Sequence, residues 1–176
     1  MIRNDELEVV YVNNQYDNLE VREISGTDIS VSYQVNSDNY GLFDFSINAA
    51  HLRKFMQTPD PISAIVLEAQ ENGSPAVPID IPVVGAGDLR QMNGNPKWRA
   101  FTRLDWDLGN WGAGIRVNYI DDFYETSVTT SEGDMMPIDS WTTTDIYLDY
   151  HFSQRSLDGL SIRLGARNIA NKKPPI

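Results

Sequence analysis

Apolar residues recur at every second position over long stretches of this chain, and the stretches are separated by connections that are alternately short and long. Period two marks β-strands with one apolar face. Between Leu19 and Val35 the odd positions include Leu19, Val21, Ile29, Val31, Tyr33 and Val35, against Asp28, Ser30, Ser32 and Gln34. After a short link at Asn36-Ser37-Asp38-Asn39, Phe43, Phe45, Ile47 and Ala49 oppose Asp44, Ser46 and Asn48. Further on, Trp98, Ala100, Thr102, Leu104, Trp106 and Leu108 alternate with Arg99, Phe101, Arg103, Asp105 and Asp107. Gly109-Asn110 supplies a two-residue hairpin loop, and Trp111, Ala113, Ile115, Val117 and Tyr119 return against Gly112, Gly114, Arg116 and Asn118. A third hairpin sets Thr144, Ile146, Leu148, Tyr150 and Phe152 against Asp145, Tyr147, Asp149 and His151. Its partner sets Leu160, Ile162, Leu164 and Ala166 against Ser161, Arg163, Gly165 and Arg167. Placing Phe152 opposite Leu160 aligns Tyr150 with Ile162, Leu148 with Leu164 and Ile146 with Ala166. Asp149 then lies opposite Arg163, Asp145 opposite Arg167, and Tyr147 covers Gly165, so this register is expected over one shifted by two residues. Leu7 to Val12 reads as a further strand. The predicted fold is all-β, an antiparallel meander of about six or seven strands in which sequence neighbours are spatial neighbours.

Two connections are long. Residues 57–97 break the alternation over a span well beyond the usual connection in a compact domain. Asp60-Pro61 forms a helix start, Ile62, Ile65, Val66 and Ala69 follow at helical spacing, and Asn72-Gly73 ends the run, so one short helix is predicted. Val77 to Val84 reads as extended chain, and Gly85, Gly87, Asn93, Gly94 and Pro96 as turns. Thr126 to Asp139 forms the second long loop.

Period two alone fits both a soluble sandwich and a membrane barrel. Three features favour a segment of a transmembrane barrel. The strands exceed the usual ~5 to 6 residues of globular proteins. The connections alternate as periplasmic turns and extracellular loops do. Aromatics sit at strand ends, with Trp106, Trp111, Tyr150 and Phe152 beside short turns and Trp98, Tyr119, Phe123 and Tyr124 beside long ones, as two interfacial girdles would require. The alternative is a soluble β-barrel or β-sandwich ligand-binding module. Detergent dependence separates the two, because an open barrel segment aggregates through its apolar face and free edges.

Composition removes other classes. The formal charge of −11 with only 14 Lys and Arg argues against nucleic acid, which needs clustered cations to displace counterions. The absence of Cys excludes disulfides, thiolate metal sites and a Cys nucleophile. Met1 to Leu7 lacks a basic start followed by an apolar run, so no signal peptide is expected, and no stretch approaches the ~20 apolar residues of a membrane helix.

No catalytic, metal or cofactor site is expected, and no ligand-binding residue can be assigned. Asp105 with Asp107, and Asp145 with Asp149, share faces as a glycosidase pair would. Arg99, Arg103, Arg116, Arg163 and Arg167 share that face too, so a wet charged wall is the better reading. His51 and His151 lack ligand spacing, Asp121-Asp122 lacks a calcium-loop pattern, and Asn72-Gly73-Ser74 is a sequon followed by Pro75. Gly85-Ala86-Gly87 lacks the strand-to-helix context of a phosphate cradle.

Several elements, in order, resemble the TonB-dependent receptors. Gly26-Thr27-Asp28 resembles the family's Gly-x-Asp/Glu element. Pro96-Lys97-Trp98-Arg99 with the Trp106 to Trp111 turn is similar to a late hairpin, and Ser140 to Tyr150 to the first strand of the penultimate one. Gly159 to Pro175, reading Gly-Leu-Ser-Ile-Arg-Leu-Gly-Ala-Arg-Asn-Ile-Ala-Asn-Lys-Lys-Pro-Pro, resembles Gly-Leu-x-Leu-x-Leu-Gly-x-x-Asn-Leu-Phe-Asp-x-x-Pro-Pro. Ile169-Ala170-Asn171 departs from the usual Leu-Phe-Asp. The resemblance implies that residues 1–176 are a partial C-terminal β-barrel domain, with the plug domain, most strands and the last strand absent. It implies a cell outer membrane location, contact with outer-membrane lipid and, in the parent protein, a plug domain, TonB and a small solute as partners. The implied function is import of a scarce solute such as a ferric siderophore, cobalamin, haem or an oligosaccharide, and the fragment alone is not expected to transport.

Overall fold

The computed structural model describes residues 2–3, 9–11, 21–77, 83, 86–154 and 159–175. In chain order the elements are β1 (Ile2–Arg3), β2 (Val9–Tyr11), β3 (Arg22–Ser37), β4 (Gly41–Gln57), α1 (Pro61–Glu71), β5 (Gly87–Asp88) and β6 (Trp98–Leu108). Then come β7 (Trp111–Ile120), β8 (Phe123–Thr129), β9 (Met135–Ile138), β10 (Trp141–His151) and β11 (Ser161–Ala166). The main sheet runs β11-β10-β7-β6-β4-β3, with β5 added to β4, and each pairing within it is antiparallel. This is the predicted meander, without a Greek-key crossing. It remains an open sheet among the described residues, as a partial barrel must.

The apolar positions meet because each register preserves their parity. One row crosses all six long strands as Tyr33, Phe45, Leu104, Ile115, Ile146 and Ala166, each directly opposite the next. A neighbouring row reads Val35, Phe43, Trp106, Ala113, Leu148 and Leu164. The apolar face is left uncovered, unlike that of a water-soluble protein. Among the described residues no hydrophobic side chain is buried, and Ile146, Leu148, Ile162 and Leu164 are 43 to 70% exposed, whereas Asp149 on the opposite face is 4% exposed. The 11 residues of β6 at ~3.4 Å each, tilted by ~45°, span ~26 Å, the height of an outer-membrane apolar band.

At the short-turn end Trp111 meets Tyr150 edge-on at 4.7 Å between centroids, Tyr150 meets Phe152 at 4.9 Å, and Trp106 Nε1 donates to Tyr40 O at 2.6 Å. At the other end Trp98 stacks on His51 at 4.1 Å, and Tyr119 donates its hydroxyl to Asp121 at 2.7 Å. Aromatic rings thus stand at both ends of the apolar face, as anticipated.

The hairpins follow their turn residues. Gly109-Asn110 closes β6 and β7 with Leu108 opposite Trp111, and Gly109 has φ of 59°. The first link starts two residues later than expected and is shorter, Asp38-Asn39-Tyr40, because Ser37 pairs with Gly41, whose left-handed backbone (φ 83°) demands glycine. In β4, Arg53 is an extra residue between the pairs Ser25 with Lys54 and Gly26 with Leu52. Its displaced carbonyl accepts from Arg90 Nη1 at 2.8 Å, and Arg90 also pairs with Asp88 at 2.6 Å, so this bulge ties the long connection back to the sheet. The Arg90 guanidinium holds the Asp88 carboxyl below its usual range.

Helix α1 begins and ends where predicted. Asp60 caps it by accepting from the backbone N–H groups of Ile62 and Ser63 at 2.8 and 3.0 Å, and Gly73 follows at φ 70°. Its expected apolar face is not used against the sheet: Ile62 and Ile65 stay exposed, and Val66 and Ala69 are no more than half-buried. Three expectations require correction. Val9–Tyr11 pairs with β1 and not with the main sheet. The stretch read as a loop over Thr126 to Asp139 holds most of a second small hairpin, β8 with β9, which Ser/Thr-rich sequence and Pro137 concealed from the alternation count. The connection 57–97 also contributes strand β5. Leu7, Val12, Leu19, most of Val77 to Val84, Gly85 and residues 155–158 between β10 and β11 lie outside the described residues.

Candidate functional site

The polar face carries a connected wall of charge. Arg103 pairs with Asp44 at 3.1 Å, and its Nε lies 2.9 Å from Asp105 Oδ2 without aiming its N–H at that oxygen. Tyr147 donates its hydroxyl to Asp105 Oδ1 at 2.7 Å, reaching across β7 to do so. That reach requires Gly114, where an added Cβ would lie 2.2 Å from the Tyr147 ring and 2.5 Å from Asp105 Oδ1. Gly112 clears the same space for Asp149 and Asp107. The Tyr147 ring is flanked by two guanidiniums, Arg163 at 4.4 Å and Arg116 at 5.5 Å from its centroid. A phenol donating to a carboxylate is electron-rich, which strengthens both cation–π contacts.

In the last hairpin the predicted register holds. Tyr150 lies opposite Ile162, Leu148 opposite Leu164 and Ile146 opposite Ala166, and Phe152 N donates to Leu160 O at 2.9 Å. Asp149 faces Arg163 and accepts from its Nη2 at 3.1 Å, while His151 Nε2 sits 2.8 Å from the other oxygen. Two details differ from expectation. The Asp145 carboxylate accepts the backbone N–H of Asn168 at 2.8 Å instead of pairing with Arg167, because the chain leaves the ladder after Ala166 and turns at Asn168 (φ 48°). Tyr147 covers Gly114 more closely than Gly165, since its hydroxyl is drawn toward Asp105. A double-mutant cycle on Asp149→Ala and Arg163→Ala should therefore give a coupling of about 0.5 to 1 kcal/mol in chemical unfolding. The same cycle on Asp145→Ala and Arg167→Ala should give none beyond error; equal couplings would contradict the geometry.

At the opposite end the two long connections are bonded to each other. Asn93 N–H donates to Tyr124 O at 2.8 Å, and Tyr124 N–H donates to Gln91 O at 2.7 Å. Asn93 Oδ1 accepts from both the backbone N–H and the hydroxyl of Thr126 at 2.9 Å, and the Gln91 side-chain amide donates to Asp122 at 3.1 Å. Gln91 and Asn93 hold left-handed φ values of 57° and 50° to do this. Nothing in the alternation pattern announced this clamp, because it joins two aperiodic segments.

The other residues weighed for chemistry are dispersed. His51 lies at the loop end against Trp98, whereas His151 lies at the turn end against Asp149. Asp121 accepts from Tyr119 and Asp122 from Gln91. Among the described residues no three His, Cys, Asp or Glu side chains converge as a metal site, and no helix is long and apolar enough to cross a membrane, which says nothing of crossing by strands.

An exposed apolar band of bilayer height, a charged opposite wall, short turns at one end and bonded long loops at the other define a segment of an outer-membrane β-barrel. The model of the family described as TonB dependent receptor-like, beta-barrel, matches residues 2–169, and the chain belongs to that family. Members of this family are outer-membrane transporters and not enzymes. No curated protein and no solved structure matches the chain at a significant level.

Proposed function

We propose that residues 1–176 are the C-terminal part of the barrel of a TonB-dependent transporter that imports a scarce solute, such as a siderophore, cobalamin, haem or an oligosaccharide, across the outer membrane. The parent protein supplies the rest of the barrel and the plug domain, and TonB is its partner. The polar wall faces the lumen and the plug, the apolar rows face lipid, and the clamped loops project to the outside, where solute is first held. The observation that carries this reading is the uncovered apolar face, since a soluble module would leave six strands' worth of apolar rows exposed to water.

The sequence has no cysteine, so single introduced cysteines report their surroundings without interference. In lipid vesicles, Leu148→Cys should resist a water-soluble maleimide and react with a lipid-phase one, and Ser32→Cys on the polar face should show the reverse. Equal water access at both positions, with a protein that stays monodisperse without detergent, would overturn the reading.

A further inference from the structure

We propose that the polar face holds a binding site for a small multivalent oxyanion, a solute bearing carboxylate or phosphate groups, in the hollow beside Tyr147. The inference deepens the transporter reading and rests on it, because the site must face a wet passage. The hollow measures about 250 Å³ and is lined by Arg116, Arg163, Arg167, Tyr147 and Asp145, with Gly165 leaving its floor open.

Three guanidiniums and the Asp145 carboxylate line the hollow, and Asp149 beside it is paired with Arg163, which leaves one positive charge in a chain whose formal charge is −11. The nearby carboxylates are engaged. Asp149 is buried and has one oxygen against Arg163 and the other against His151, and Asp145 takes the Asn168 N–H. Arg163 nevertheless keeps 59% of its side chain exposed, so its remaining donors stay open to solvent. The Tyr147 ring holds the Arg163 and Arg116 guanidiniums on either side of it, and guanidinium forks match carboxylate and phosphate oxygens better than ammonium groups do. The surrounding acidic chain repels anions at long range, so retention here depends on these local donors.

Arg167 makes none of the wall's ion pairs, so it can be replaced without dismantling the wall. Calorimetric titration of citrate into the full chain in a zwitterionic detergent should show saturable binding, with inorganic phosphate competing and the uncharged triethyl ester of citrate failing to compete. Arg167→Gln should weaken citrate by about tenfold or more, Arg167→Lys should restore part of the loss, and Arg99→Gln, a polar-face arginine outside the hollow, should leave affinity unchanged. Absence of saturable citrate binding, or equal losses in Arg167→Gln and Arg99→Gln, would overturn the site. The titration runs in detergent and the cysteine labelling in vesicles, so a citrate failure with the labelling pattern intact removes the anion site and leaves the transporter reading standing.

Discussion

Ile115→Arg is expected to destabilise the folded barrel by about 2 to 4 kcal/mol, the cost of placing an arginine near the midplane of a lipid-facing strand. Ile115 lies at the middle of β7, directly opposite Leu104 on one side and Ile146 on the other, within the apolar row that crosses all six long strands. Neither neighbour offers an acceptor, and from mid-strand the side chain must bend toward an interface to keep its charge hydrated. Asn118→Arg, three residues along on the opposite face, should change stability by less than about 0.5 kcal/mol. Urea unfolding of both variants in vesicles checks the pair. A tolerated Ile115→Arg would mean that this face meets water.

Gly41→Ala should cost about 2 to 5 kcal/mol, although it adds one methyl group. Two penalties combine. At φ 83° the backbone is left-handed, which costs an L-residue about 1 to 2 kcal/mol. The new Cβ would also lie 2.1 Å from the Asp107 carbonyl oxygen and 3.0 Å from Leu108 Cβ, and moving strand backbone to relieve such overlap costs about 1 to 3 kcal/mol more. Gly133→Ala isolates the first penalty, since it sits at φ 95° with nothing within 4 Å of an added Cβ. Unfolding midpoints should therefore fall much further for Gly41→Ala than for Gly133→Ala, and similar shifts would show that the β3–β4 turn can move off β6.

The strands and their faces were legible because parity survives from sequence to sheet. Each long strand keeps its apolar residues on alternate positions, and in the last hairpin the opposition of Asp149 to Arg163, Asp145 to Arg167 and Tyr147 to Gly165 chose the register that the sheet adopts, although only the first charge pair closes. Helix α1 was legible for a local reason, since Asp60-Pro61 and Asn72-Gly73 are chemical signals for its ends. What escaped depends on geometry that no single segment encodes. The engagement of Asp145 by Asn168 follows from a left-handed turn after the ladder ends, and the reach of Tyr147 to Asp105 crosses an intervening strand. Gly112 and Gly114 on a polar face were a usable signal for that reach, because glycine at alternate positions of an inner strand leaves room for neighbours on both sides. The extra residue at Arg53 shows only once both strands are aligned.

The bonds from Gln91 and Asn93 to Asp122, Tyr124 and Thr126 have an evolutionary consequence. A loop exchanged alone for one of different sequence would strand the donors and acceptors of its neighbour, including the Tyr124 N–H and the Asn93 carbonyl group of its amide. If this rim holds solute as proposed, new preferences have to arise there by correlated change in both segments, or by change in the parts of each that lie away from the clamp. A chimera carrying a relative's residues 58–97 would be rescued by the same relative's residues 121–140, so that the two loops are inherited as one cassette.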